Sequence, residues 1–322
     1  MPVSRRRFLG LVACAPVVPL VACAPDPVVT GGPTAPFSPT PTAPVQSQSA
    51  ERSATWIAAQ IALVGMAGAH REAWAVPAGT MAWAEGAIAC GEAQLSRLLA
   101  ADPLVGGTEP VFTVATPSVE TPADLQAFDA ALDAGIGDGV ALFTSLARAA
   151  ETQPDRLLYS SLAISAEGAR SRAVAPVQTD AAPVRFTDST PDASLAVALT
   201  HVWALLQGLE MAAGRLPDGV EADRAKSRLP GARDLRDRLR DAFTGEVPGQ
   251  AAYYEMPNAM TTAAEVTTGI AILETNLLHA LARVVSSDHD ITTWWADMMS
   301  EVAQVQSWGG ALPFWPGWAD VA

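Results

Sequence analysis

The chain has 322 residues, with 34 acidic against 20 basic side chains and a formal net charge of −14. Such an acidic balance argues against nucleic-acid binding, which needs excess positive charge to contact phosphates, and against flat binding to anionic lipid. We therefore expect no nucleic-acid partner.

The first 22 residues resemble an export signal. Arg5, Arg6 and Arg7 precede an apolar stretch that is shorter than the ~20 apolar residues of a membrane span. A positive head, a short apolar middle and a small-residue exit predict a signal peptide over 1–22. The run SRRRFL at 4–9 resembles a twin-arginine signal, with Arg5 and Arg6 as the arginine pair, although Gly10 replaces the usual lysine. A general secretion signal is the alternative.

Residues 20–23 read LVAC, which resembles the lipobox of bacterial lipoproteins. The motif predicts cleavage before Cys23, lipidation of its thiol and anchoring at the extracytoplasmic face of the cell membrane; an ordinary signal peptide ending at Ala22 is the alternative. The earlier LVAC copy, ending at Cys14, falls in the removed peptide. Cys90 then has no disulfide partner, and its apolar neighbours predict a buried, inert thiol.

A disordered tether is predicted over 23–50. This stretch mixes Thr, Ser, Gln and Gly with seven prolines, at 25, 27, 33, 36, 39, 41 and 44. Such a composition cannot bury a core and stays extended, so it would separate the lipid from the folded part.

From residue 51 onward, apolar side chains recur with the helical period and alternating strand patterns are scarce. Glycines at 135, 137 and 139 predict a weak point or kink in the third helix, and a polar linker is expected over 175–190. The predicted fold class is all-α, with two tandem up-down four-helix bundles over 51–180 and 190–322, the second ending in an aromatic C-terminal tail. The predicted helices cover 51–75, 79–101, 122–151, 154–173, 192–216, a charge-rich segment around 233–240, 262–286 and 289–307.

Motifs after residue 250 resemble those of a ferritin-like domain of unknown function found in actinobacterial lipoproteins. The matching positions are Tyr254, Pro257, Leu273-Glu274, Trp308-Gly309, Pro313-Phe314 and Pro316-Gly317. The resemblance covers about 192–318 and implies that the bundles are ferritin-like. The first half of the folded part resembles the family only in its expected architecture.

The metal chemistry of ferritin-like proteins is not evident in the sequence. Di-iron bundles take a Glu-x-x-His pair from each of two helices, and the chain contains no Glu-x-x-His. No cofactor and no catalytic residue are therefore predicted. The weak metal candidates, for Fe, Mn or Zn, are carboxylates expected on buried helix faces and one histidine at the edge of such a face: Glu274, Glu85, Glu92 and His201.

These candidates also have structural explanations. Glu274 could be satisfied by a buried arginine, a hydroxyl or a water, and His201 could be a hydrogen-bonded structural histidine. Gln60 is expected to make an interhelical hydrogen bond, and His279 is expected to face solvent. The aromatic segment Trp308–Trp318 is expected to pack over the second bundle, with an exposed partner surface as the alternative.

The sequence thus predicts an exported, lipid-anchored envelope protein that is not an enzyme and that binds a protein partner or a small ligand. A degenerate metal-binding protein, acting in redox chemistry or metal handling through its buried-face carboxylates, is the alternative. A structural spacer without a ligand is a third hypothesis.

Overall fold

The computed structural model describes residues 48–107, 109–115 and 117–319. The predictions for Arg5, Arg6 and Cys23, and the tether up to residue 47, lie outside these residues. The described part is all-helical and carries one isolated β-bridge, between Val177 and Pro313. Its eight helices confirm the predicted all-α class, and they are α1 Gln48–Ala69, α2 Ala78–Leu98, α3 Leu125–Ala149, α4 Gln153–Gly168, α5 Pro191–Arg215, α6 Val220–Asp241, α7 Ala263–Ser287 and α8 Thr292–Ser307.

Side-chain caps begin several of these helices. Thr262 and Glu265 form a capping box at the start of α7, in which each side chain accepts a hydrogen bond from the backbone N–H of the other residue. Thr190 caps α5, where Pro191 follows in the first turn. Asp124 accepts a hydrogen bond from Ala127 N at the start of α3. These caps explain why the helices begin close to the positions that the sequence predicts.

The helices contact one another in two groups. In the first half (α1–α4), α1 packs against α2 and α3, and α3 packs against α4. In the second half (α5–α8), α5 packs against α6 and α7, and α7 packs against α8. The halves also meet, because α4 contacts both α7 and α8. The described residues belong to one compact unit.

Helix α3 runs without a break through its glycines. Two of these glycines instead allow α1 to approach: a Cβ atom at Gly139 would collide with the Trp56 ring, and one at Gly135 would lie 2.5 Å from Gln60 Nε2. Helices α3 and α5 are long and apolar enough to span a membrane by length and composition. Both contribute buried residues to the helical core, as core helices of this length commonly do.

The aromatic segment 308–318 follows α8 and packs into the interior. Its large side chains are buried, as expected. The segment contacts the first half as well as the second. Val177 N donates to Leu312 O at 2.9 Å and Phe314 N donates to Val177 O at 2.9 Å, which ties the segment to the linker after α4. Leu312 also packs against Gly168 at the end of α4. The segment therefore joins the two halves.

Candidate functional site

The inward position predicted for Glu274 is confirmed, and its charge is met by an arginine. Glu274 lies in α7 with no exposed surface. Arg228 of α6 donates from Nε to Glu274 Oε1 at 2.9 Å and from Nη2 to Glu274 Oε2 at 3.1 Å. This two-point contact fits the planar fork of a guanidinium to a carboxylate. Both Glu274 oxygens are thus engaged by protein donors.

Glu301 of α8 completes this cluster. Arg228 Nη2 donates to Glu301 Oε2 at 2.8 Å, whereas Glu301 Oε1 is buried and has no hydrogen-bond partner among the described residues. Burial, together with the neighbouring Glu274 carboxylate, raises the pKa of Glu301 well above its usual range. The single Arg228 guanidinium therefore lies between two buried carboxyl groups.

The sequence contains a pattern that predicts the buried position of Arg228, but the many charged residues of α6 obscure it. Ala225 and Ala232 are buried, and Arg228 lies three residues after one and four before the other. This spacing places Arg228 on the buried face of a helix. Burial alone would lower the pKa of Arg228, but the Glu301 and Glu274 carboxylates raise it above its ordinary value.

The histidines of α5 and α7, His201 and His279, are both at least half-buried in the helical core. His279 is buried, so the expectation that it faces solvent is wrong; Gly317 N donates to its Nδ1 at 2.9 Å. Burial, with smaller contributions from Arg283 and His201, lowers the pKa of His279 to about 4. His201 is half-buried, and burial lowers its pKa as well. His279 is therefore a neutral acceptor that holds the segment 308–318.

The remaining carboxylate candidates lie on the surface. Glu85 and Glu92 of α2 are both exposed, so their expected place on a buried face is wrong. The reason is that α2 turns Cys90, Gly91 and Gln94 inward instead. Within the described ranges, no three His, Cys, Asp or Glu side chains are grouped so that they could hold a metal ion.

A partly open apolar cavity of about 90 Å³ lies between the helices of the first half, the end of α8 and the segment 308–318. It is lined from α1, α2, α3 and α4, from the residues that follow α4, and from α8 and the segment 308–318. None of its lining residues carries a charged or titratable side chain other than the Cys90 thiol. The lining residues are Trp56, Ile57, Gln60, Ile61, Val64, Trp83, Ala87, Cys90, Gly91, Gln94, Leu132, Ile136, Ser165, Ala166, Gly168, Ala169, Val174, Pro176, Gln306 and Leu312.

Glycines and the aromatic segment shape this cavity. Gly91 of α2 lies against α1, since a Cβ atom there would be 2.7 Å from Ile61 Cγ1. Gly135 makes the corresponding close contact between α3 and α1 through Gln60. Leu312 supplies part of the wall from outside the four helices. The cavity is therefore a product of helix spacing and of a segment that is distant in sequence.

Polar groups at the cavity differ in how well they are satisfied. Gln94 Nε2 donates to Ser165 Oγ at 2.9 Å and to Phe314 O at 2.8 Å. The predicted buried position of Cys90 is confirmed, and burial raises the pKa of its thiol to about 12. Gln60 Oε1 is buried without a hydrogen-bond partner among the described residues, so the expected interhelical bond is not made by this atom. The Gln60 amide is the unsatisfied polar group of the cavity.

The sequence suggested Gln60 as an inward polar residue but gave no sign of the space beside it. That space depends on Gly91, Gly135 and Leu312, which belong to three different elements. Comparison with known proteins adds no further constraint: no family model matches the chain, and neither a curated protein nor a solved structure is detectably similar to it.

Proposed function

We propose that this chain is an exported, lipid-anchored, non-catalytic protein that binds a small ligand in the apolar cavity of its first half. The cavity is the observation that carries the proposal, because it is concave, mostly apolar and lined by a few polar groups, as small-molecule sites are. With a volume of about 90 Å³ it suits a small molecule rather than a protein segment. The helices serve as the frame, which we propose to be a pair of ferritin-like bundles.

The metal-handling alternative has weaker support from the geometry. Both carboxylate oxygens of its best candidate, Glu274, accept hydrogen bonds from Arg228. The guanidinium of Arg228 thus already supplies the positive charge that a metal ion would otherwise bring. His201 and His279 lie near each other, but His279 already accepts a hydrogen bond from Gly317. The geometry of these residues fits a stabilising cluster better than an open metal site.

The cellular location rests on the N-terminal motifs. We propose export through the Arg5-Arg6 pair and anchoring through lipid on Cys23, with 23–47 as the tether; residues 48–50 of the expected tether instead form the start of α1. Changing Cys23 to serine should move the protein from the membrane fraction to the extracytoplasmic soluble fraction and remove the lipid mass. The matched change Cys14→Ser should have neither effect, since Cys14 lies in the segment expected to be removed.

Ligand binding is tested with small neutral aromatic probes and a variant that fills the cavity. Ala87 of α2 lines the cavity, whereas Ala89 of the same helix is exposed. We expect toluene or phenol to bind the purified protein in ligand-observed NMR, Ala87→Leu to abolish that binding, and Ala89→Leu to leave it unchanged. If neither probe binds, or if Ala87→Leu leaves their binding unchanged, the proposed function is contradicted.

A further inference from the structure

We propose that the ligand is an uncharged, largely apolar small molecule with one hydrogen-bonding group, and that the Gln60 carboxamide selects it. This inference rests on the function proposed above and specifies its ligand. It draws on three features of the cavity: the absence of charge in its wall, the unpaired amide of Gln60, and its volume.

The wall excludes ions. The chain carries 34 acidic and 20 basic residues, yet none of the residues that line the cavity is Asp, Glu, Lys, Arg or His. An ion that enters such a site loses its hydration and finds no opposite charge, which is strongly unfavourable. A neutral molecule meets no such penalty, so the wall favours uncharged ligands.

Among the polar side chains of the wall, Gln60 carries a buried oxygen that has no hydrogen-bond partner among the described residues. Gln94 Nε2 is engaged by Ser165 and Phe314, and Gln306 Nε2 donates to Gly168 O at 2.6 Å. Gln60 Oε1, in contrast, is buried and unpaired among the described residues. The terminal amide of glutamine rotates over a broad range, so a small movement can present this oxygen to a donor in the cavity. A ligand hydroxyl or N–H group would satisfy an atom that otherwise has no partner.

The volume limits the size of the bound group. A cavity of about 150 Å³ lined by aliphatic and aromatic side chains binds benzene, and a water molecule occupies roughly 30 Å³ of the liquid. The cavity of about 90 Å³ is smaller than that benzene site but partly open, so it holds at most one ring, part of which would lie at the opening. Trp56 and Trp83 supply flat aromatic surface for such a group.

The test compares ligands of one shape that differ only in polarity or charge. Dissociation constants of phenol and toluene are measured by NMR titration for the parent protein, for Gln60→Leu and for Gln60→Met, which keeps the unbranched shape. We expect both substitutions to weaken phenol about fivefold relative to toluene, because one hydrogen bond is lost. The exposed Gln126, changed to leucine, is the matched control and should leave the ratio unchanged. Benzoate and benzylammonium, tested in the same way, should not bind in the cavity. Any weak binding that they show elsewhere should be the same in Ala87→Leu.

The outcomes separate the two proposals. If toluene and phenol bind in the cavity but both Gln60 variants leave their ratio unchanged, the role of Gln60 is overturned while the binding function stands. If benzoate or benzylammonium binds in a manner that Ala87→Leu abolishes, the restriction to uncharged ligands is overturned. If neither neutral probe binds in the cavity, the proposed function fails and this inference fails with it.

Discussion

Arg228 is the positive group between two buried carboxylates. It contacts Glu274 and Glu301 at once, and its own side chain is 11% exposed. Removing the guanidinium would leave two buried carboxyl groups without their positive partner, which is a far larger change than the loss of a surface ion pair.

We predict that Arg228→Met lowers the free energy of unfolding by about 3–5 kcal/mol, because it strands a buried carboxylate. Arg233→Met is the matched control on the same helix. Arg233 pairs with Glu210 where both side chains are about half exposed, and this change should cost at most about 1 kcal/mol. Urea denaturation at pH 7 measures both values, and equal losses in the two variants would show that the buried cluster contributes nothing special.

Glu301→Gln should have an effect that depends on pH. The folded-state pKa of Glu301 is raised above the ordinary value of 4.5, so the folded protein retains a proton that the unfolded chain releases. The contribution of Glu301 to stability is therefore complete below pH 4.5 and declines as the pH rises. Glutamine cannot ionise, so we expect the Glu301→Gln variant to gain stability relative to the parent between about pH 5 and 8. A difference that stays constant over this range would contradict a raised pKa of Glu301.

His279 gives the opposite dependence on pH. Its pKa is lowered from 6.5 to about 4 in the folded protein, with Arg283 and His201 as the charged or titratable neighbours. Above pH 6.5 it is neutral in both states; as the pH falls from 6.5 to 4, the unfolded chain takes up a proton that the folded protein refuses. We predict a loss of about 3 kcal/mol over this range. Unfolding measured at several pH values should show a shallower slope for His279→Asn, whereas the exposed His289→Asn should keep the parent slope.

At the scale of elements, α1 and α3 pack closely because α3 presents glycine to the large side chains of α1. Trp56 Nε1 donates to Gly135 O at 3.0 Å, and the Trp56 ring meets Phe143 edge-on with centroids 5.1 Å apart. The indole lies where a side chain on Gly139 would have to stand. The contact places Gln60, one turn further along α1, beside Gly135 and the cavity.

We predict opposite effects for two neighbouring Gly→Ala changes in α3. Gly139→Ala would drive a Cβ atom into the Trp56 ring and should destabilise the protein by about 1–3 kcal/mol through overpacking. Gly137 has no atom within 4 Å of the same position, and Gly137→Ala should stabilise the helix by about 0.5–1 kcal/mol. Thermal unfolding distinguishes the pair; a stabilising Gly139→Ala would mean that α1 can move away freely.

The elements were more accessible to prediction than the site. Helical periodicity placed most of the helices near their observed positions, because this signal is local in the chain, although the start of α6 at Val220 was not predicted. Helix spacing is not local: Gly135 and Gly139 lower helix propensity, and only their contacts with α1 reveal why they are present. Glu274 was correctly placed inward, but its partner Arg228 lies 46 residues away in a helix dominated by surface charge. The cavity could not be foreseen, because it depends on distances between elements.

At the scale of the whole molecule, one hydrophobic cluster includes residues of both halves. Arg156 of α4 reinforces the contact, because its Nε donates to Ser286 O of α7 at 2.7 Å. The segment 308–318 adds a second connection, since Phe314 O accepts from Gln94 of α2 while Gly317 N donates to His279 of α7. The halves therefore share part of their stability.

We predict that ending the chain after Ser307 weakens both halves together. The parent should unfold in urea in one transition, whereas the shortened protein should unfold at lower urea and lose amide protection in α2 and α7 alike. Hydrogen exchange with mass spectrometry measures this loss by segment. Tyr253→Ala, in an exposed loop, is the control and should change neither segment. Loss of protection confined to α7 would show that the segment supports the second half alone.

The position of this segment also sets the order of events during synthesis. Residues 308–318 leave the ribosome after all eight described helices. Leu312 of this segment nevertheless lines the cavity that helices α1–α4 form. The earliest helices therefore wait for the latest residues before their cavity is complete. If the chain is exported in the folded state, as we propose for the Arg5-Arg6 pair, the cavity is completed in the cytoplasm, before the protein crosses the membrane.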